Sequence, residues 1–233
     1  MKLFIGLAGL LFAISGFAAE PEKWALMQRA VLVEHNLDEI RTLVAAGVDP
    51  NAPIGCGTYA PLDGSIAQNN LEMMALLLSL GAKPTAAQMV AAVSANTPVA
   101  LPMVKLLLGA GASVNARNYY SKAENRFTNP IHRAVAKGDR ELIAFLVRQP
   151  GIELNNPDVN DDTPLMLAIT KGDGQIVDML LASGADPRQK NRAGLDASAV
   201  AAGVIRKQQT FLEKLAPVEN PTREHLLSAR PGA

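Results

Sequence analysis

The chain has a single cysteine, Cys56, so no disulfide can form within it and packing alone must hold the fold. Aromatic residues make up only 4% of a sequence that is 48% hydrophobic, which points to a core of Ala and Leu side chains in closely stacked helices. Net charge is also missing. The 22 basic residues equal the 22 acidic ones, and this balance removes any general pull toward nucleic acid or anionic lipid. The three histidines, His35, His132 and His225, are scattered, and no Cys/His spacing suits zinc. There is no G-x-S-x-G elbow, and Gly109 and Gly111 follow Leu106-Leu107-Leu108 at a helix end, so they form no phosphate loop. Asp158, Asp161 and Asp162 lack the glycine and the distant glutamate of an EF-hand loop. We therefore expect no enzyme activity, no metal and no cofactor.

What is present is a repeated phrase. GVDPNA at Gly47, GAKPTA at Gly81, GASVNA at Gly111, GIELNN at Gly151 and GADPRQ at Gly184 have glycines 34, 30, 40 and 33 residues apart. Such a period identifies a solenoid, in which each unit buries its apolar face only against its neighbours. Function is then to be sought on a surface.

The best copy runs from Asp161 to Gln189. Thr163-Pro164-Leu165 suits a helix entry, with the hydroxyl capping free amide groups and proline at the first helical position. Leu165, Leu167, Ala168 and Ile169 give a short helix ending at Gly172. Ile176, Val177, Leu180 and Leu181 form the apolar stripe of a second, which Gly184 stops. On these residues the unit resembles the ankyrin repeat. The resemblance implies an all-α solenoid of about five helix-turn-helix repeats with β-hairpin fingers and a C-terminal capping half-repeat.

The expected divisions are a repeat domain over 23–215, with repeats at about 24–52, 53–84, 85–116, 117–156 and 157–189 and a cap over 190–215. The second unit starts at Ala60-Pro61-Leu62-Asp63 and the fourth at Asn129-Pro130-Ile131-His132. For His132 the resemblance implies a hydrogen bond between neighbouring repeats. Residues 1–18 combine Lys2, an apolar run from Leu3 to Ile14 and Gly16-Phe17-Ala18, the pattern of a cleaved signal peptide. That run falls short of the roughly 20 residues a spanning helix needs. The expected location is thus periplasmic or secreted, with no membrane insertion after cleavage, and residues 216–233 are expected to form a flexible tail.

Two surface regions stand out. The spacing of 40 places Arg117, Tyr119, Tyr120, Lys122, Arg126 and Phe127 in a long finger, and Tyr59 falls in the finger between the first two units. Tyrosine and arginine are the residues that most often anchor interfaces, at about 2 kcal/mol or more each when truncated. The second region is the inner curve, to which alignment of the copies assigns Val33, Glu34, Ala67, Gln68, Ala136, Lys137, Thr170 and Lys171. The candidate partner-binding set is Tyr59, Arg117, Tyr119, Tyr120, Lys122, Arg126, Phe127, Lys137 and Lys171. The partner expected is another protein, exported or periplasmic, met by a chain that is a monomer alone. Two roles fit. One is an inhibitor or immunity protein masking an exported enzyme or toxin such as a cell-wall hydrolase. The other is an envelope scaffold or stress-protection factor assisting an exported redox enzyme.

Overall fold

Helices start wherever a short polar side chain can take a free amide group of the first turn. Asn36 accepts from the Glu39 N–H at 3.1 Å, Asn70 from Met73 at 2.9 Å, Asn129 from His132 at 3.1 Å and Asp139 from Leu142 at 3.1 Å. Thr163 does the same for Met166 and Asp173 for Ile176. Helices stop where a residue can turn left-handed, as at Gly172 with φ +73° and Gly184 with φ +94°. In the computed structural model, which describes residues 21–54, 59–95, 98–121, 126–158 and 161–215, these signals produce a run of helix pairs. The expected signal peptide over 1–18, Cys56, Lys122 and the expected flexible tail over 216–233 lie outside the described residues.

The pairs are α1 (Pro21–Arg29) with α2 (Leu37–Ala45), α3 (Pro61–Ala67) with α4 (Leu71–Ser79), and α5 (Ala86–Ser94) with α6 (Ala100–Gly109). Then come α7 (Pro130–Lys137) with α8 (Arg140–Leu146), α9 (Pro164–Lys171) with α10 (Gly174–Ala182), and a single long helix α11 (Ala197–Leu215). First helices stack in one row, α3 on α5, α5 on α7, α7 on α9 and α9 on α11; α4, α6, α8 and α10 stack in a second. One core runs between the rows. Met27, Ile40, Leu62, Met73, Leu77, Met89, Met103, Leu107, Ile131 and Leu142 are almost wholly shielded from solvent in it. Each such side chain stabilises the stack by about 1.5–3 kcal/mol relative to exposure, so stacking rather than helix propensity keeps these short helices folded. Among the described residues no helix is long and apolar enough to cross a membrane.

Asparagines clasp successive pairs. Asn51 donates to the Gly81 carbonyl at 3.1 Å and accepts from the Lys83 N–H at 2.7 Å. Asn115 repeats the grip on Gly151 and Glu153, at 2.7 and 3.0 Å, and Asn155 accepts from Asp186 at 2.8 Å. The equivalent fourth position after Gly81 is Thr85, which instead caps α5, its hydroxyl accepting from Gln88 while Gln88 returns the bond to the Thr85 N–H at 2.9 Å. Helix α5 therefore begins at once. Only residues 82–85 separate Gly81 from α5, against 48–60, 112–129, 152–163 and 185–196 at the other junctions. The second junction has no finger.

The first pair is irregular. After α1 the backbone widens into a π-turn at Ala30–Glu34, closed by His35 at φ 52°. Gly64 of α3 approaches it so closely that a Cβ would stand 2.5 Å from Val31 Cγ1, and Gln68 Nε2 takes the Val31 carbonyl at 3.0 Å. The long finger contains strands β1 (Asn118–Ser121) and β2 (Arg126–Thr128), antiparallel, with Asn118 opposite Thr128, Tyr119 opposite Phe127 and Ser121 opposite Arg126. Tyr120 is the extra residue of a bulge.

Candidate protein-binding face

The exposed surface of the inner row carries the residues that alignment assigned to it. Val33 is 72% exposed, and Glu34, Ala67, Ala136, Thr170 and Lys171 are exposed as well. Some are already engaged. Glu34 pairs with Arg29 at 2.9 Å, Gln68 is spent on the π-turn, and the Lys137 ammonium sits on the carbonyls of Val93 and Ala95 at the end of α5. Arg133 adds a bond from Nε to Ser94 Oγ at 3.0 Å, so α7 closes the C-terminus of α5 with two cations. Lys171 belongs to a separate shallow depression with Arg140 and Asp173, whose ion pair spans 3.1 Å.

Tyr59 is 37% exposed at the base of the first finger, where its carbonyl accepts from the Ile54 N–H at 2.8 Å. Partial burial, then the nearby Asp63 carboxylate, pushes its phenol above the ordinary tyrosine value, so it stays a neutral donor. With Asp63, Ile66, Ala67 and Asn69 it lines one side of an open depression floored by Ala91 and Ser94 of α5 and by Ala95 just past its end. Sequence reasoning found Tyr59 and Ala67 but not the floor. The signal for it was the short spacing of 30 after Gly81, which records the missing finger.

Arg117 makes an ion pair with Glu153 at 3.5 Å, across to the next finger. For Tyr119, Tyr120, Arg126 and Phe127 the description extends to the backbone, which places all four in the two-stranded hairpin. His132 is 2% exposed, and its Nε2 lies 3.0 Å from the Asp162 carbonyl oxygen, the expected bond between neighbours. Burial, only partly opposed by Asp158 and Asp162, holds its pKa below the ordinary histidine value. The three clustered acids have structural tasks. The Asp158 carboxylate accepts from the Asp162 N–H, Asp162 accepts from Asn191 at 2.9 Å, and Asp161 pairs with Arg192 at 3.0 Å.

A family model described as ankyrin repeats, in three copies, matches residues 89–191. Residues 89–191 carry ankyrin repeats. The ankyrin repeat domain of Bcl-3, of the IkappaB protein family, superposes with a TM-score of 0.64 at 21% identity, over 81% of this chain and 85% of that one. An ankyrin repeat domain from Acinetobacter baumannii AYE gives 0.64 at 20%, over 78% and 92%. These likenesses establish the ankyrin fold. Among curated relatives, the I-kappa-B like protein N2 of Microplitis demolitor bracovirus is 33% identical over 42% of this chain and 52% of its own length. The human transient receptor potential cation channel subfamily A member 1 is 32% identical over 39% of the chain and 8% of its own. The chain thus spans about half or far less of those relatives. Ankyrin repeats indicate a protein–protein interaction domain, and that is the class to which these repeats point.

Proposed function

We propose that the protein is a binding protein of the bacterial cell envelope, exported by its leader and not itself an enzyme, that acts as an inhibitor or immunity protein. Its partner is an exported enzyme or toxin such as a cell-wall hydrolase. The observation that carries the reading is the depression at the finger-free junction, where small side chains of α3 and α5 leave an open floor beside Tyr59. A floor of alanine and serine accommodates a projecting protein element, and the long finger on its other side supplies the lateral grip. Specific interfaces bury about 800 Å² per partner, which stacked ankyrin pairs can offer along their inner curve.

The test is purification of the tagged full chain from periplasmic extract, followed by assay of whatever accompanies it in stoichiometric amount. An enzyme whose turnover falls when the protein is added supports inhibition. Unchanged or improved turnover of an exported redox enzyme would replace this role with that of a scaffold or stress-protection factor. Absence of any stoichiometric companion, or retention of the leader in the cytoplasm, would overturn the proposal.

A further inference from the structure

The end unit of a solenoid must show water a polar face, because no neighbour follows to cover an apolar one. The start of the second row meets this demand: α2 exposes Asp38, Arg41, Thr42 and Ala45 and none of its large apolar side chains. The other end does not. Among the described residues the row stops at α10, which packs on α9 and α8. The positions seven and three before the helix-stopping glycine are Met74 and Leu78 in α4 and Val104 and Leu108 in α6. Each of those helices has a successor, and there Met74 and Val104 are fully buried while Leu78 and Leu108 are half-buried. In α10 the same positions hold Val177, half-buried, and Leu181, 42% exposed. The stripe that a further second-row helix would cover is present and open.

Helix α11 leaves it open, since it lies in the first row against α9. Counted from the caps Thr163 and Asp196, α9 ends at Lys171 and the matching residue of α11 is Val204. From Ile205 to Leu215 the helix runs on for about 16 Å at 1.5 Å per residue. From the second pair onward the chain has turned back after each first helix and laid a second one on the preceding member of the second row. After α11 it still has residues 216–233. Residues 216–222, extended at roughly 3.3 Å each, reach about 23 Å, enough to return roughly 16 Å along α11 and cross about 10 Å between helix axes. Arg223 then comes level with the start of α10. Thr222 precedes Arg223-Glu224-His225-Leu226-Leu227-Ser228-Ala229 as a capping residue would, and Pro231-Gly232 follow Leu227 at the spacing with which Pro150-Gly151 follow Leu146 of α8.

We infer that residues 223–229 form the missing second-row helix, laying Leu226 and Leu227 on Val177 and Leu181, in place of the flexible tail expected from the sequence. A second copy suits this face poorly. Arg188, Lys190, Arg192, Arg206 and Lys207 stand there against Asp196 alone, so two such ends brought together would crowd like charges. A tethered segment also meets the face at an effective concentration of roughly millimolar, ahead of a partner in free solution.

Two measurements on the full chain test this. In the first, Leu181→Cys and Leu226→Cys are combined with Cys56→Ser and oxidised at low protein concentration. An intramolecular disulfide is expected, whereas Val33→Cys with Leu226→Cys, which places the first thiol at the opposite end, should give none. In the second, Leu226→Asp with Leu227→Asp should speed amide exchange at residues 174–182 by about tenfold, with exchange at 130–146 unchanged. Equal cross-linking of the two cysteine pairs, or exchange at 174–182 within about twofold of the parent, would overturn the inference. Slow exchange there that appears only as chain concentration rises would overturn it as well, assigning the face to a second copy. Should the aspartate variant fail to fold, the cross-link alone decides.

Discussion

The side-chain oxygen of Asn129 lies 2.7 Å from Nδ1 of His132 while also accepting that residue's main-chain N–H at 3.1 Å. In the tautomer that gives the Nε2 proton to the Asp162 carbonyl, Nδ1 presents a lone pair to an oxygen that has no proton to offer. A threonine hydroxyl could accept the amide and donate to the ring. Asn129→Thr is therefore expected to stabilise the fold by about 1 kcal/mol, a rise of roughly 2–4 °C in a melting curve. A lower melting temperature in the variant would show that the asparagine makes a better bond than this.

The same histidine gives the stability a pH dependence. Its folded pKa is lowered by burial, so the unfolded chain binds the proton more readily. The contribution is complete above about pH 6.5 and is lost as pH falls from there toward the folded value. Chemical denaturation at stepped pH should show stability declining below about 6.5. His132→Gln should flatten that slope, and an unchanged slope in the variant would assign the effect elsewhere.

The asparagine clasps can be weighed singly. Asn115→Ala removes two hydrogen bonds to the next turn, at Gly151 and Glu153, on a partly exposed flank. The expected loss is about 1 kcal/mol by urea denaturation, with Asn51→Ala costing a similar amount. A loss under a few tenths for both would mean that water replaces the side chain without penalty.

Gly64→Ala tests the approach of α3 to the π-turn. The new methyl would meet Val31 Cγ1, the end of a short branched side chain with no exposure, which cannot swing away as a lysine could. Overpacking of this kind costs about 1–3 kcal/mol, and the better helix propensity of alanine returns at most about 1. Melting should fall on balance. An equal or higher melting temperature would show that the turn yields.

The finger tyrosines should behave differently. Tyr119→Ala with Tyr120→Ala is expected to weaken capture of the co-purifying partner by at least about tenfold with the melting temperature almost unchanged. A large thermal loss would place the rings in the core.

Much of this architecture was legible because its signals are local. Thr163-Pro164 and Gly172 bracket α9 within a few residues, and the spacing between Gly111 and Gly151 announced the long finger. The inner curve also followed from aligning copies, since Val33, Ala67 and Thr170 are exposed there. What escaped depends on partners one unit away. Lys137 reads as a free cation until the carbonyls of Val93 and Ala95 are brought beneath it by the stacking of α5 on α7. The π-turn at Ala30–Glu34 likewise has no signature in its own residues; Gly64 and Gln68, on another helix, permit it and complete it.

Because Thr85 spends its hydroxyl on α5, the seam between the second and third helix pairs has neither an asparagine rivet nor a projecting loop across it. Among the described residues, the stacking of α3 on α5 and of α4 on α6 bridges it. Under load or mild denaturant the rod should part along that fault line into two blocks, the shorter ending near Lys83. The place proposed to receive another protein is thus also where the molecule should be most easily pried apart, so an occupant lying across it would act as a splint.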